Sequence, residues 1–267
     1  MASRITTTRS PQGRLLTVEH IAKTDSTEEL LRKVAQCEGS DGYILYADVL
    51  EPPPPDMPPP KHKEDGMLAM SILLRPPVSL TEPAVLSVAG SLALSRVVRC
   101  FSSLPVGIRW PGDLFCGRHR IGSVSVSGDR RPGGSFRFAI VTFFLRISTR
   151  AFAEPLPKIV QNVFSPVRFT QAERMAAALI HEFFSLYETL GDRLFLDEYR
   201  EQSLLHGKRV SVWHRERRVR ATVIGINDDA CLIVAPRGGG SFLLHTREEL
   251  ILHGHPKTPP PNPGKPT

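Results

Sequence analysis

The fold is decided by the stretch Arg109-Trp110-Pro111-Gly112-Asp113-Leu114 and by the basic hairpin predicted for residues 115–124. Proline fixes its own φ and drives the residue before it toward extended geometry, so Trp-Pro predicts a rigid corner. The single acid, Asp113, is then expected at a set position, as a site for a substrate or an amine would require. A plain amphipathic hairpin with a structural turn is the alternative for a motif of this kind.

Composition sets the limits around this corner. With 267 residues, of which 41% are hydrophobic, the chain can bury a core and is expected to form one main domain and one small one. A net charge of +7 fits contact with nucleotide phosphates and does not require nucleic acid. The four cysteines include no Cys-x-x-Cys pair, which indicates free thiols in a reducing compartment and argues against a zinc ribbon. We predict no metal site. No apolar run approaches the length of about 18 residues that a membrane span needs.

The two ends of the chain are predicted to be disordered. Residues 1–14 are basic and rich in Ser and Thr, which is compatible with a mitochondrial transit peptide or with a frayed end. We expect a cytoplasmic protein, with a mitochondrial location as the alternative. Residues 255–267 form a Pro-rich tail, and residues 52–65 form a Pro-rich internal loop.

Between these segments, the pattern predicts an α+β protein. Asp25-Ser26-Thr27 can cap a helix, and residues 80–101 show the broad apolar face of a second one. Residues 43–49, 67–76 and 136–147 read as buried strands. A helix beginning at Thr170 and short strands after Leu205 complete the pattern, and the short strands predict a small barrel of the SH3 type.

These motifs resemble those of biotin protein ligases, in the biotin/lipoate protein ligase family. Members carry Lys-Trp-Pro-Asn-Asp-Leu/Ile at the corner, then a hairpin with Lys-Leu-Ala-Gly-Ile-Leu, and Asp-Ser-Thr-Asn at the first helix. The likeness spans residues 15–253. It implies a class II synthetase-like mixed sheet with packed helices over residues 15–204 and an SH3-like domain over residues 205–254. No DNA-binding segment is expected before it, and no nucleic acid or membrane partner.

The implied reaction has two steps. The carboxylate of biotin attacks the α-phosphorus of ATP to give biotinyl-adenylate and pyrophosphate, and a lysine of a biotin carboxyl carrier domain then takes the acyl group. ATP and biotin are the implied substrates, and Mg²⁺ is expected if the protein is active. Asp113 would orient or activate the lysine amine, and Arg120 stands where a lysine would bridge the carboxylate and the α-phosphate. The implied residues for biotin and adenylate binding are Ser26, Thr27, Arg109, Trp110 and Gly122.

The sequence departs from the family at several of these positions. The family's Gly-Arg-rich loop binds the adenylate, whereas residues 51–63 contain seven prolines and neither glycine nor arginine. Phe143 and Phe144 stand where glycines let the backbone approach the ligand, and they are expected to crowd it. Ser123 also replaces a glycine, although Gly122 is one residue away. Each lost charge-assisted contact typically costs about 1.5–3 kcal/mol, so two or three imply a loss on the order of 10³-fold or worse.

Two classes of function stay open. One is a divergent biotin or lipoate protein ligase, impaired or using different loop chemistry, which acts as a monomer or homodimer on carrier domains. The other is a catalytically inactive relative that binds a carrier domain or another partner. The Trp-Pro corner favours biotin over lipoate.

Overall fold

The strands and helices form two sheets and their packed helices. The computed structural model describes residues 3–36, 41–51, 67–101, 105–146, 169–215 and 217–251, except for the side chains of residues 169–172. The strands are β1 Ser3–Arg9, β2 Leu15–Thr24, β3 Tyr43–Leu50, β4 Met67–Leu74, β5 Val106–Arg109, β6 Asp113–Cys116, β7 His119–Arg130, β8 Phe136–Arg146, β9 Arg209–His214, β10 Arg217–Ile226, β11 Leu232–Pro236, β12 Phe242–Leu244 and β13 Leu250–Ile251. The helices are α1 Thr27–Gln36, α2 Pro83–Phe101, α3 Phe169–Tyr187 and α4 Phe195–Glu201, with 3₁₀ turns at Leu190–Asp192 and Arg247–Glu249.

The first eight strands form one mixed sheet in the order β1-β2-β3-β4-β8-β7-β6-β5. The β2–β3 pair is parallel, and all other neighbours in this sheet are antiparallel. The parallel pair follows from α1, which lies between β2 and β3 in the chain and supplies the crossover that parallel strands require. This arrangement confirms the predicted α+β class with a mixed sheet.

The two faces of the sheet are covered by different helices. α2 and α3 pack against one face, over a core that includes Met70, Phe143 and Phe183. α1 packs on the opposite face, where Leu31 and Ala35 contact a smaller cluster that includes Leu45, Ala47 and Ile140. Side chains alternate between faces along a strand, so every second residue of a strand lies on the same face of the sheet.

α2 is the central helix of the larger core. Fourteen of its 19 residues are buried, from Ala84 to Val98. In the part of the chain that the structure describes, α2 is the one helix whose length and apolar composition would allow it to cross a membrane. However, 78% of its apolar 18-residue window is buried inside the protein. Its apolar composition is therefore explained by its place in the core.

The last five strands form a second, antiparallel sheet in the order β12-β11-β10-β9-β13. The sequence predicts an SH3-like barrel here, and the structure shows a curled five-stranded sheet. Its core residues, including Val212, Val234 and Leu244, belong to the same hydrophobic cluster as the main sheet. The second sheet is thus packed onto the first.

One terminal prediction is wrong in part. Ser3–Arg9 is not disordered: it forms β1, which pairs with β2 along seven residues at the edge of the sheet. The β-branched run Ile5-Thr6-Thr7-Thr8 favours a strand. The prediction of disorder relied on the basic composition of residues 1–14 and gave this run no weight. The predicted Pro-rich loop at 52–65 and the tail at 255–267 lie outside the described residues.

Candidate active site at the Trp-Pro corner

The corner joins β5 to β6, and its backbone is held from two sides. Arg109 and Asp113 face each other as cross-strand partners at the end of the hairpin. The Gly112 carbonyl accepts a hydrogen bond from the Val124 amide at 2.8 Å. A Cβ at position 112 would lie 2.4 Å from the Val124 carbonyl oxygen, so this position requires glycine. The family's asparagine does not fit here without a backbone shift.

Two buried aromatic side chains, those of Trp110 and Tyr199, hold the corner through hydrogen bonds. Trp110 is 1% exposed, and its Nε1 donates a 2.8 Å hydrogen bond to the Ala230 carbonyl in the second sheet. Tyr199 of α4 is fully buried, and its hydroxyl donates to the Pro111 carbonyl at 3.4 Å. Burial, assisted by the charge of Asp113, raises the pKa of Tyr199 well above its usual value, so it serves as a neutral donor. The corner is therefore rigid, as the sequence predicts.

Asp113 is 2% exposed and lies within a cage of three guanidinium groups. Its Oδ2 is 2.9 Å from Arg109 Nη2 and 3.0 Å from Arg247 Nη2, and its Oδ1 is 3.3 Å from Arg120 Nε. Three cations around one carboxylate leave an excess of positive charge. Such a cluster is suited to an anion, and arginine is the side chain that best matches carboxylate and phosphate geometry.

The structure thus brings Arg109, Asp113 and Arg120 together as the sequence predicts, and it adds Arg247, which the sequence reasoning missed. Arg247 opens a 3₁₀ turn in the second sheet. A capping box stabilises this turn: the Thr246 side chain accepts a hydrogen bond from the Glu249 backbone amide, and the Glu249 side chain accepts one from the Thr246 backbone amide. The pattern Thr-x-x-Glu at 246–249 could have identified this turn. Its distance to Asp113 could not have been read from the sequence.

A continuous row of cross-strand partners leads from the corner across the sheet toward α1. The row runs from Asp113 to Ser123, Phe144, Ala69 and Ala47. Ala47 belongs to the cluster under α1, so the carboxylate of Asp113 and helix α1 lie on the same face. Four of these five residues are small or short, and Phe144 is the bulky exception.

The neighbouring row on this face carries hydroxyl groups. Thr27 Oγ1 and Ser71 Oγ share a 2.8 Å hydrogen bond, and Ser71 Oγ and Thr142 Oγ1 share another at 2.9 Å. All three side chains are buried. Hydroxyls both donate and accept, so this chain can rearrange to meet a polar group placed above it. Thr27 therefore lies on the same face of the sheet as Asp113.

Other predicted site residues have structural positions. The hydroxyl of Ser26 accepts from the Glu29 amide at 3.1 Å, so it caps α1. Gly122, predicted to bind biotin or adenylate, lies opposite Leu114, and a Cβ there would point at Leu94 of α2, on the face opposite Asp113. A bulge between Leu114 and Phe115 shifts the hairpin register, and Ser123, not Gly122, faces the site.

The expectation that both phenylalanines crowd the ligand is half wrong. Phe143 is fully buried on the α2 face, with its ring 5.4 Å from that of Phe183. Phe144 lies on the α1 face, in the same row as Asp113. Adjacent strand residues point to opposite faces, so one of the two had to be a core residue.

The sheet order, the helices on its two faces and the small second sheet define the biotin/lipoate protein ligase fold. Solved structures confirm this. A biotin protein ligase from Aquifex aeolicus superposes with a TM-score of 0.65 and 15% identity, over 88% of this chain and 96% of that one. A biotin protein ligase-like protein of unknown function from a Silicibacter species gives 0.63 and 15% identity, over 90% and 97%. A biotin acetyl coenzyme A carboxylase synthetase from Helicobacter pylori with bound biotinylated ATP gives 0.53 and 14% identity, over 85% and 99%. No protein-family model and no curated protein matches the sequence.

Proposed function

We propose that this chain is a biotin protein ligase-like protein that binds biotin and ATP on the α1 face beside Asp113. In this proposal it forms biotinyl-adenylate slowly and transfers biotin poorly to a carrier-domain lysine. ATP enters as its Mg²⁺ complex, as a substrate, and the second sheet corresponds to the small SH3-like domain that the resemblance implies. The fold supports the class of reaction, because the structural neighbours include a biotin protein ligase solved with biotin and ATP.

The single observation that carries the proposal is the arginine cage. In the first step, a biotin carboxylate oxygen bonds to the α-phosphorus and pyrophosphate leaves. Arg109, Arg120 and Arg247 supply the positive charge that this anionic centre needs. Their fork geometry differs from that of the lysines implied by the resemblance, so we expect a slower step.

The same cage explains why transfer should be the weaker step. In transfer, a lysine amine attacks the acyl carbon, AMP leaves, and an acid such as Asp113 must orient or deprotonate the amine. Both oxygens of Asp113 lie within 3.3 Å of arginine nitrogens, and the side chain is 2% exposed. An incoming amine must displace one of these contacts, and the surrounding positive charge repels it.

Two assays separate the steps. Biotin-dependent exchange of labelled pyrophosphate into ATP measures adenylate formation, and labelling of a carrier domain measures transfer. We expect measurable exchange with carrier labelling near background. Arg247→Gln should free one contact of Asp113 and raise labelling relative to exchange, whereas the exposed Arg220→Gln should change neither. Carrier labelling by the unmodified protein as fast as exchange would contradict the proposal.

A second candidate function is a non-catalytic relative that binds a carrier domain or a partner. It is favoured by Gly112, where the Val124 carbonyl leaves no room for the asparagine of the family motif. Carrier binding by calorimetry together with absent biotin-dependent exchange would support this candidate and overturn the first.

A further inference from the structure

A second cluster of chemically active side chains lies apart from the arginine cage, where the second sheet meets α2. It consists of Glu82, Cys231 and His245. Glu82 directly precedes α2, Cys231 directly precedes β11, and His245 directly follows β12. Cys231 is buried, Glu82 is partly exposed and His245 is half-exposed. Three side chains from distant parts of the chain therefore present a sulfur, an oxygen and a nitrogen to one small volume.

The distances within this cluster are those of ligands around one cation. Cys231 Sγ is 3.4 Å from His245 Nδ1 and 3.8 Å from Glu82 Oε2, and Glu82 Oε2 is 3.3 Å from His245 Nδ1. Zinc bonds of about 2.3 Å to sulfur and about 2.0–2.1 Å to nitrogen or oxygen, at tetrahedral angles, place such ligand atoms about 3.3–3.6 Å apart. Two edges of the observed triangle, at 3.3 and 3.4 Å, match this size, and the third, from sulfur to oxygen, is slightly longer at 3.8 Å.

A nucleophilic Cys-His-Glu arrangement fits the cluster less well. In a catalytic relay, one ring nitrogen takes the nucleophile's proton while the acid holds the other nitrogen. Here Cys231 and Glu82 both approach Nδ1 of His245. Convergence on one point is what a cation requires.

We propose that Glu82, Cys231 and His245 form a binding site for Zn²⁺. A thiol, an imidazole and a carboxylate form a donor set suited to zinc, and they are not the all-oxygen set preferred by Mg²⁺ or Ca²⁺. The partial exposure of Glu82 and His245 leaves a route for the ion and a place for water as the fourth ligand. This inference does not depend on the chemistry proposed for Asp113.

The position of the site indicates what the ion would do. Cys231 follows Ala230, whose carbonyl accepts the hydrogen bond from Trp110, and His245 lies two residues before Arg247 of the cage. Glu82 lies on the other side of the junction, before α2. The ion would therefore tie the second sheet to the first at the two contacts that complete the corner, and it should stabilise the folded chain, since the unfolded chain lacks the site.

Sequence reasoning had little signal for this cluster, because its members are separated by 149 and 14 positions. Metal-binding motifs are recognised from sequence by short spacings within one loop or helix. The prediction of no metal site rested on the absence of such spacings.

The test uses the 267-residue chain, stripped with a chelator and titrated with Co²⁺ as a spectroscopic probe, followed by displacement with Zn²⁺. We expect one equivalent of Co²⁺ to give a thiolate-to-metal charge-transfer band and tetrahedral d–d bands, both abolished by one equivalent of Zn²⁺. Cys231→Ala should eliminate the charge-transfer band, and the matched control Cys100→Ala, at an exposed cysteine, should retain it.

Two further variants guard against a folding artefact. His245→Gln changes a half-exposed side chain and should weaken Zn²⁺ binding at least about 100-fold, since loss of even an outer partner costs about 10–100-fold. Zn²⁺ should raise the melting temperature of the unmodified protein but not that of Glu82→Gln. Absence of a thiolate band in the unmodified protein, or its persistence in Cys231→Ala, would overturn the proposal.

Discussion

Replacing Asp113 by asparagine should be among the most destabilising isosteric changes at the corner. The amide side chain would keep the volume but remove the charge that holds Arg109, Arg120 and Arg247 together. Breaking a buried ion pair by removing one partner costs about 3–5 kcal/mol. The three arginine side chains are 16–25% exposed, and water screens part of the remaining repulsion, so we expect the lower end, about 3 kcal/mol.

The assay is thermal and urea unfolding followed by circular dichroism. For a chain of this size, a loss of about 3 kcal/mol lowers the melting temperature by roughly 6–12 °C. The matched control is Asp129→Asn, which breaks an exposed pair with Arg137 at 3.3 Å and should cost less than about 1 kcal/mol.

A double variant tests the reason for the effect. Adding Arg247→Gln to Asp113→Asn removes one of the repelling cations, so part of the lost stability should return. The coupling energy of such neighbouring residues is about 0.5–3 kcal/mol. If Asp113→Asn were as mild as Asp129→Asn, or if the second change added its own loss independently, the cage would not be an electrostatic unit.

Three other changes test the frame of the site. Gly112→Ala should lower the free energy of unfolding by roughly 1–3 kcal/mol, because its Cβ would meet the Val124 carbonyl, whereas Gly191→Ala, with open space, should be near neutral; equal effects in urea unfolding would refute the clash. Trp110→Phe should cost about 1–3 kcal/mol by leaving a carbonyl of the second sheet without its donor, and an unchanged urea midpoint would contradict this. Tyr187, whose pKa is raised mainly by burial from 10.0 to about 12, should make stability fall as pH rises from 10 to 12, because the unfolded chain loses this proton first. The fall should be shallower in Tyr187→Phe, and an identical slope would exclude Tyr187 as its source.

Local chemistry predicted the parts of the site that lie close together in the chain. Arg109, Asp113 and Arg120 belong to one hairpin, so strand pairing alone brings them together, and the sequence predicts it. The N-cap at Ser26 and the buried strands were predictable for the same reason, since capping and alternation act within a few residues. The position of Gly122 relative to Asp113 depends on a single bulge that the sequence does not reveal, and such a bulge reverses the face of every residue up to the next irregularity.

The sequence by itself determined the class of fold, the rigid Trp-Pro corner and the acid at its end, because each depends on backbone geometry or hydrophobic periodicity over short stretches. The tertiary structure decided what surrounds that acid. Arg247 reaches Asp113 only because the second sheet packs on the first, and Phe143 and Phe144 divide between faces by the register of β8. The cluster of Glu82, Cys231 and His245 arises in the same way. Contacts between distant segments depend on how whole sheets pack, and packing sums many weak interactions that no single motif encodes.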